Sequence, residues 1–173
     1  MNKKQSIRTL TTAALIAAMY TVLTVCLAPL SYGLIQCRLS EALTILAAFT
    51  PAAIPGLTIG CAVSNLIGLS SGANIAGALD VLLGPLATGL AAWLTWAMRR
   101  YTVGGLPLWS TLPPVVLNAL IVGTELALVA PTFTLEIWFI QMALVGIGQL
   151  VACVGGGLLV ARGLQLSGLD KRL

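Results

Sequence analysis

The sequence predicts an all-α integral membrane protein, a single bundle of six helices with both termini in the cytoplasm. Of the 173 residues, 58% are hydrophobic and 8% are charged, and the mean hydropathy is +1.01, whereas a soluble domain carries roughly a quarter charged residues. A membrane-spanning helix needs about 20 predominantly apolar residues, and the chain divides into six apolar stretches. Almost all basic residues fall on one side of these stretches, as the positive-inside rule requires.

The six predicted spans leave little chain for a soluble domain, so we expect one membrane domain over residues 1–173. The spans cover about residues 9–30, 39–49, 54–69, 80–98, 112–130 and 137–164. Six spans place both termini on one side, and only Arg38 then lies outside. The basic residues predicted to be cytoplasmic are Lys3, Lys4, Arg8, Arg99, Arg100, Arg162, Lys171 and Arg172. The net charge is +4, but the basic residues cluster at the termini and in one loop, which argues against a nucleic-acid-binding surface.

The first span follows basic residues, as a signal peptide would, but residues 9–30 are too long for the apolar region of a signal. We therefore expect a retained helix. Ala13 with Ala17 and Ala14 with Ala18 stand at four-residue spacing, which allows close approach of another helix. Packing inside the bundle is the simpler explanation for both pairs, and a partner subunit is the alternative.

The middle spans enclose a segment of loop-like composition. The second span is short and stops before Pro51, and the third contains Asn65. Residues 70–79 are small and polar, which predicts a loop that can move or fold over something. The fourth span ends in a basic and aromatic interfacial anchor composed of Trp93, Trp96, Arg99 and Arg100.

The last two spans carry buried polar candidates. Two prolines begin the fifth span, where proline costs least. Asn118 and Glu125 are seven residues apart within it, and therefore lie on nearly one helical face. The sixth span carries Gln141, Gln149 and many glycines.

Four carboxylates lie toward the predicted external face, those of Glu41, Asp80, Glu125 and Glu136. We expect Glu136 to be a solvated loop charge. Glu125 interrupts an apolar run, where an unpaired carboxylate is costly, so it requires a partner or a ligand. Arg38 and Glu41 would share one helical face three residues apart; they either belong to a functional site or simply neutralise each other at a helix end.

Several chemistries are absent from the sequence. The only lysines are Lys3, Lys4 and Lys171, so no phosphate-binding loop of the G-x-x-x-x-G-K-[ST] type exists, and any ATP-driven work requires another subunit. There is no histidine, and the four cysteines have no metal-site spacing, so we expect no metal and no cofactor in this chain. Intramembrane hydrolysis by Glu41 with Glu125 or Asp80 remains an alternative, although no spacing fixes the geometry it requires.

A ligand site explains the polar residues better. Carboxylates accept hydrogen bonds, and side-chain amides both donate and accept them. The ligand would therefore be small, polar and rich in hydrogen-bond donors. A flat heterocycle with an amidine-like edge would bind one carboxylate through two hydrogen bonds. Tyr32 or Trp138 could cover its face, or merely anchor the chain at the interface. The predicted substrate-binding residues are Tyr32, Arg38, Glu41, Asn74, Asp80, Asn118, Glu125 and Gln149.

Several motifs in fixed order resemble the QueT family. They are the start K-K-Q-S-I-R-T-L-T-T-A-A-L-I-A-A, then Q-C-R-L-S-E-A-L-T-I-L, F-T-P-A-A-I-P-G-L-T-I-G, L-D-V-L-L-G-P-L-A-T, P-P-V-V-L-N-A-L-I-V-G-T-E-L and G-I-G-Q-L-V-A-C. The resemblance covers nearly the whole chain. It implies a substrate-binding S component of an energy-coupling factor importer, multi-pass in a bacterial cell membrane, that takes up a queuosine precursor with a deazaguanine base.

The resemblance also implies partners and moving parts. The S component would associate with a transmembrane coupling subunit and two ATPases, with Ala13, Ala14, Ala17 and Ala18 as the candidate interface. The outer loops, residues 31–37 and 70–79, would close over the substrate. An S component for another vitamin or nucleobase, a membrane-embedded enzyme and a non-binding assembly subunit are the alternatives.

Overall fold

The computed structural model of the chain describes residues 3–33 and 36–171, and this part contains helices and no β-strand. The α-helices are α1 (Lys3–Cys26), α2 (Ala28–Ser31), α3 (Ala53–Ser70), α4 (Asp80–Ala97), α5 (Leu112–Val129), α6 (Leu135–Gln149) and α7 (Gly157–Ser167). Three 3₁₀-helices cover Leu39–Ala48, Leu108–Thr111 and Leu169–Lys171, and a π-helical segment covers Leu150–Gly156. The side chains of Lys3, Lys4 and Lys171, the whole of Arg172, and residues 34–35 of the predicted outer loop lie outside the described residues, so their predicted placements stay predictions.

The helices pack in chain order, because α1 contacts α3, α3 contacts α4, α4 contacts α5 and α5 contacts α6. Helices α6 and α7 form one continuous rod with the π-helical segment between them. The first 3₁₀-helix lies in the middle of this arrangement, against α1, α4, α7 and the π-helical segment. Residues 40–47 of it are all buried, so this short helix forms the centre of the bundle.

The exterior of the bundle is apolar and its centre contains the polar groups. Leu10, Leu82 and Leu159 are each more than 70% exposed, whereas Asn65, Asp80 and other polar side chains are fully buried. Within the described residues, four helices are long and apolar enough to cross a membrane, at Gln5–Cys26, Ala53–Ser70, Leu108–Val129 and Leu135–Ser167. Burial of polar groups under an apolar surface is the arrangement that a bilayer demands.

The second predicted span differs from an ordinary transmembrane helix. Its ten residues, Leu39–Ala48, form a 3₁₀-helix, which is about 20 Å long at roughly 2.0 Å per residue, shorter than the bilayer's hydrocarbon core of about 30 Å. Because its neighbours enclose it, the segment does not need to match the bilayer by itself. Helices α3, α4 and α5 begin and end within one residue of the bounds predicted for the third, fourth and fifth spans, whereas α1 begins at Lys3, six residues before the predicted first span, and ends at Cys26.

Close packing of α1 on α3 corrects part of the expected partner interface. A Cβ atom on Gly56 would lie 2.6 Å from the Ala13 carbonyl oxygen, and one on Gly60 would lie 2.8 Å from that of Ala17. Ala13 is buried, and Ala17 is half-buried in the same seam. These two alanines therefore pack inside the chain, and assigning them to a partner was wrong. Ala14 and Ala18 are exposed and stay a predicted interface.

Candidate ligand-binding site

Asp80 is the centre of a buried polar cluster. It begins α4, and its Oδ2 accepts hydrogen bonds from Arg38 Nη2 at 3.0 Å and from Asn74 Nδ2 at 2.8 Å. Asn65 Nδ2 donates to the Asp80 backbone oxygen at 2.6 Å. Arg38 is 3% exposed and Asp80 is fully buried. One residue thus joins α3, the loop over residues 71–79 and the segment before the first 3₁₀-helix.

Arg38 is not paired with Glu41, so the alternative in which the two residues simply neutralise each other is wrong. Arg38 has extended backbone at the start of the 3₁₀-helix and does not share a helical face with Glu41. Its guanidinium is bonded to Asp80, 42 positions along the chain. The short sequence separation of Arg38 and Glu41 suggested a local pair, but the backbone turn before Leu39 directs the two side chains differently.

Glu41 is held by hydroxyl groups instead. Tyr20 donates to Oε1 at 2.5 Å, Thr88 donates to the same oxygen at 2.9 Å, and Thr44 donates to Oε2 at 2.9 Å. The carboxylate is 1% exposed. Both of its oxygens are therefore satisfied by the protein, and the three hydroxyls connect α1, the 3₁₀-helix and α4.

The two aromatic residues predicted to cover a ligand have partners of their own. Tyr32 is buried and donates to the Ser64 backbone oxygen at 2.5 Å. The Arg38 guanidinium carbon lies 5.6 Å from the centre of its ring, and the ring packs on Gly68 of α3. Trp138 donates through Nε1 to Thr124 at 2.8 Å, which fixes α6 to α5. In this arrangement Tyr32 belongs to the wall beside the Arg38–Asp80 pair.

Glu125 and Asn118 differ from the residues above because key atoms have no protein partner. Glu125 is fully buried, and neither of its oxygens has a hydrogen-bond partner among the described residues. Asn118 is 3% exposed, and its Nδ2 is likewise unpartnered within that part of the chain. Leaving a buried polar group unsatisfied costs about 1–3 kcal/mol, and more for a charge. Glu125 and Asn118 therefore place buried polar atoms without protein partners on one face of α5.

The loop over residues 71–79 packs on the same face of α5. Its Ala76 packs in a buried cluster with Val122 and Leu126 of α5, together with Ala87 of α4 and Val145 of α6. Val122 and Leu126 lie on the α5 face that carries Asn118 and Glu125. Asn74, in the same loop, is fastened to Asp80. The bond from Asn74 to Asp80 thus fixes the loop that packs on this side of α5.

A cavity of about 230 Å³ opens at this end of the bundle, between the loop, α5 and α6. It is lined by Ile75, Leu126, Val129, Ala130, Pro131 and Gln141. None of the predicted substrate-binding residues lines this cavity. Elsewhere in the described chain, Arg38 Nε, Asp80 Oδ1 and Asn65 Oδ1 are also buried without a hydrogen-bond partner. Both donors and acceptors remain available, as a polar heterocycle would require.

Gln149 lies deeper than Glu125, at the end of α6. Its Oε1 accepts a hydrogen bond from Cys153 at 3.2 Å, and Cys153 contacts the Glu41 backbone oxygen at 3.7 Å. The following π-helical segment is the sort of distortion often found at functional sites. The structure therefore places Gln149 beside the Glu41 cluster.

Among the buried residues with polar groups that were not predicted as site residues are Asn65, Tyr20 and Gln36. Asn65 supports Asp80, Tyr20 holds Glu41, and Gln36 is 2% exposed with a backbone φ of 43° and an unpartnered Nε2 in the described chain. A polar residue inside an apolar span was the available indication for Asn65. Glu136 is exposed, as expected. Across residues 3–33 and 36–171, no group of three His, Cys, Asp or Glu side chains could hold a metal ion.

Comparison with known proteins gives the family. A family model described as "QueT transporter" matches residues 10–165. A curated relative from Lactococcus lactis subsp. cremoris (strain MG1363), the "Queuosine precursor transporter QueT", is 39% identical over 88 residues, which is 50% of this chain and 48% of the relative. The match thus spans about half the length of that relative. No solved structure is significantly similar to the chain.

Proposed function

The chain belongs to the QueT transporter family, and we propose that it is the substrate-binding membrane subunit of an energy-coupling factor importer for a queuosine precursor with a deazaguanine base. The proposal combines the family with the composition of the buried cluster. The relative's name supports the substrate. A fused bicyclic base of this kind presents both donors and acceptors along its edges, as the cluster does.

The observation that carries the proposal is the face of α5 with unpartnered polar atoms. A purely structural carboxylate in this fold is satisfied by protein groups, as Glu41 is by three hydroxyls. Glu125 has no such partners among the described residues, although it is fully buried. Because burial without a partner is costly, Glu125 and Asn118 fit ligand contacts better than scaffold positions.

Access to the site would be controlled by the loop over residues 71–79. Substrate enters from the outer face and meets Glu125 and Asn118. The loop then closes, and Asn74 bonds to Asp80 as it does in this structure. Arg38 holds Asp80 in place and contributes the cation beside the site.

Energy for transport would come from partner subunits, since the chain has no lysine-containing phosphate-binding loop. We assign ATP hydrolysis to two ATPases, and a transmembrane coupling subunit would transmit the energy of hydrolysis to this chain. Ala14 and Ala18 form the proposed docking surface, because they are small and exposed on α1. The chain itself would not be an enzyme: Glu41 and Asp80, which an intramembrane hydrolase would use, are already hydrogen-bonded within the protein.

Orientation in the membrane follows from the charges. With six spans, both termini face the cytoplasm and the loop over residues 71–79 faces outward. Reporter fusions at the two termini test this directly. Reporters that respond on opposite sides of the membrane would contradict it.

Mass spectrometry of small molecules copurified with the protein is the decisive test of function. We expect a deazaguanine compound with the wild-type protein and with Glu136→Gln, whose side chain is exposed. Glu125→Gln should lose it. Copurification of ATPase subunits would support the importer and argue against a scaffold or an enzyme. A different vitamin or base in the wild-type sample would keep the S-component role and replace the substrate.

A further inference from the structure

The two free oxygens of Glu125 define the shape of what binds there. Both lie in one carboxylate plane, and both lack a hydrogen-bond partner in the described chain. An ammonium or a hydroxyl would satisfy one oxygen well. Two parallel N–H groups on adjacent atoms satisfy both, as a guanidinium does in a bidentate pair.

The protein's own cations do not fill this role. Arg38 is buried, but its Nη2 is bonded to Asp80 and its Nη1 contacts Cys61 Sγ at 3.5 Å. The carboxylate therefore remains available to a donor edge supplied from outside the chain.

Asn118 gives the ligand a second fixed point. It precedes Glu125 by seven residues on α5, which is two turns and about 10 Å of rise. Its Nδ2 is a donor without a partner in the described residues, so the ligand needs an acceptor at the other end. The loop residue Ala76 packs on Val122 and Leu126, which lie on the same side of α5.

We propose that Glu125 is the specificity-determining residue, which recognises the ring N–H and the adjacent exocyclic amino group of a guanine-like heterocycle, while Asn118 donates to an acceptor on the same ligand. The inference rests on the proposed function and deepens it, because it identifies which edge of the ligand Glu125 recognises. A hypoxanthine-type ring lacks the amino group and leaves one Glu125 oxygen unsatisfied, and an adenine-type ring presents an acceptor nitrogen beside its amino group instead of a ring N–H.

A ligand panel on the wild-type protein tests this without any variant. Calorimetry would compare deazaguanine with deazahypoxanthine, which lacks only the exocyclic amino group, and with deazaguanine methylated on the adjacent ring nitrogen. We expect each analogue to bind about 10- to 100-fold more weakly, since each loses a hydrogen bond to a charged group. Equal affinities for all three compounds would overturn the inference.

The variant Glu125→Gln tests the same contact from the protein side. Its amide presents one acceptor and one donor, so the preference for deazaguanine over deazahypoxanthine should fall from the wild-type ratio toward one. Glu136→Gln should keep the wild-type ratio. Equal weakening of both compounds by Glu125→Gln would indicate a structural role and overturn the inference. If Glu125→Gln does not fold, the wild-type panel decides alone.

The panel also separates this inference from the proposed function. Wild-type protein that binds deazaguanine and deazahypoxanthine equally well remains a deazapurine importer subunit, and only the role of Glu125 is refuted. Wild-type protein that binds none of the three compounds refutes the proposed substrate, and the inference with it.

Discussion

The buried ion pair between Arg38 and Asp80 predicts a large and specific loss of stability when either charge is removed. The two side chains are 4% and 0% exposed, and the N–O distance is 3.0 Å. Coulomb's law with an effective dielectric constant of about 20 gives roughly 5 kcal/mol of attraction at that separation. Removing one partner leaves an uncompensated buried charge, which costs about 3–5 kcal/mol in proteins.

The perturbation is Asp80→Asn, which keeps the shape of the side chain and an oxygen that can still accept from Asn74. We expect its free energy of unfolding to fall by about 3 kcal/mol, and Arg38→Gln should lose a similar amount. The double variant should be less destabilised than the sum of the two by about 2–3 kcal/mol, because no buried charge is then left alone.

Reversible unfolding in mixed micelles, followed by tryptophan fluorescence, measures these differences. Glu136→Gln is the matched control, since an exposed carboxylate should change the free energy by less than about 0.5 kcal/mol. The reasoning would be refuted if Asp80→Asn stayed within that margin of the wild type, or if the two single effects added fully in the double variant.

Three further outcomes follow from the packing. Tyr20→Phe should lower the free energy of unfolding by about 1.5–3 kcal/mol, because it removes a buried hydrogen bond to a carboxylate. Tyr101→Phe, at an exposed position, should leave the free energy of unfolding unchanged. Equal effects of the two substitutions would contradict the role of the Tyr20 hydrogen bond. Gly60→Ala should lower the thermal midpoint by forcing α1 away from α3, while Gly163→Ala, which meets no atom within 4 Å, should raise or preserve it. Ala14→Leu should reduce copurification of the ATPase subunits without loss of ligand binding; unchanged copurification would remove this face from the interface.

Much of the helical architecture was predictable from local sequence. Proline positions and apolar run lengths placed α3, α4 and α5 to within one or two residues. The 3₁₀ conformation of Leu39–Ala48 was not predicted, and the surroundings of this helix include α4, the π-helical segment and α7, which come much later in the chain.

The candidate site was predictable as a set of residue types but not as a set of contacts. A carboxylate such as Glu125 in an apolar run is recognisable because burying it is costly whatever surrounds it. Which partner satisfies a given acid depends on residues far away in sequence, as the bonds from Tyr20 to Glu41 and from Arg38 to Asp80 illustrate. The ligand roles of these residues stay predictions.

By itself the sequence determined the class of protein, because hydrophobicity adds up along the chain and needs no knowledge of the fold. Its motifs were also enough to indicate the family. Only the tertiary structure decided which polar groups satisfy one another and which stay without a partner among the described residues, since a hydrogen bond forms or fails over a few tenths of an ångström. The same holds for Ala13 and Ala14: they are neighbours in the sequence, yet one packs on Gly56 and the other is exposed.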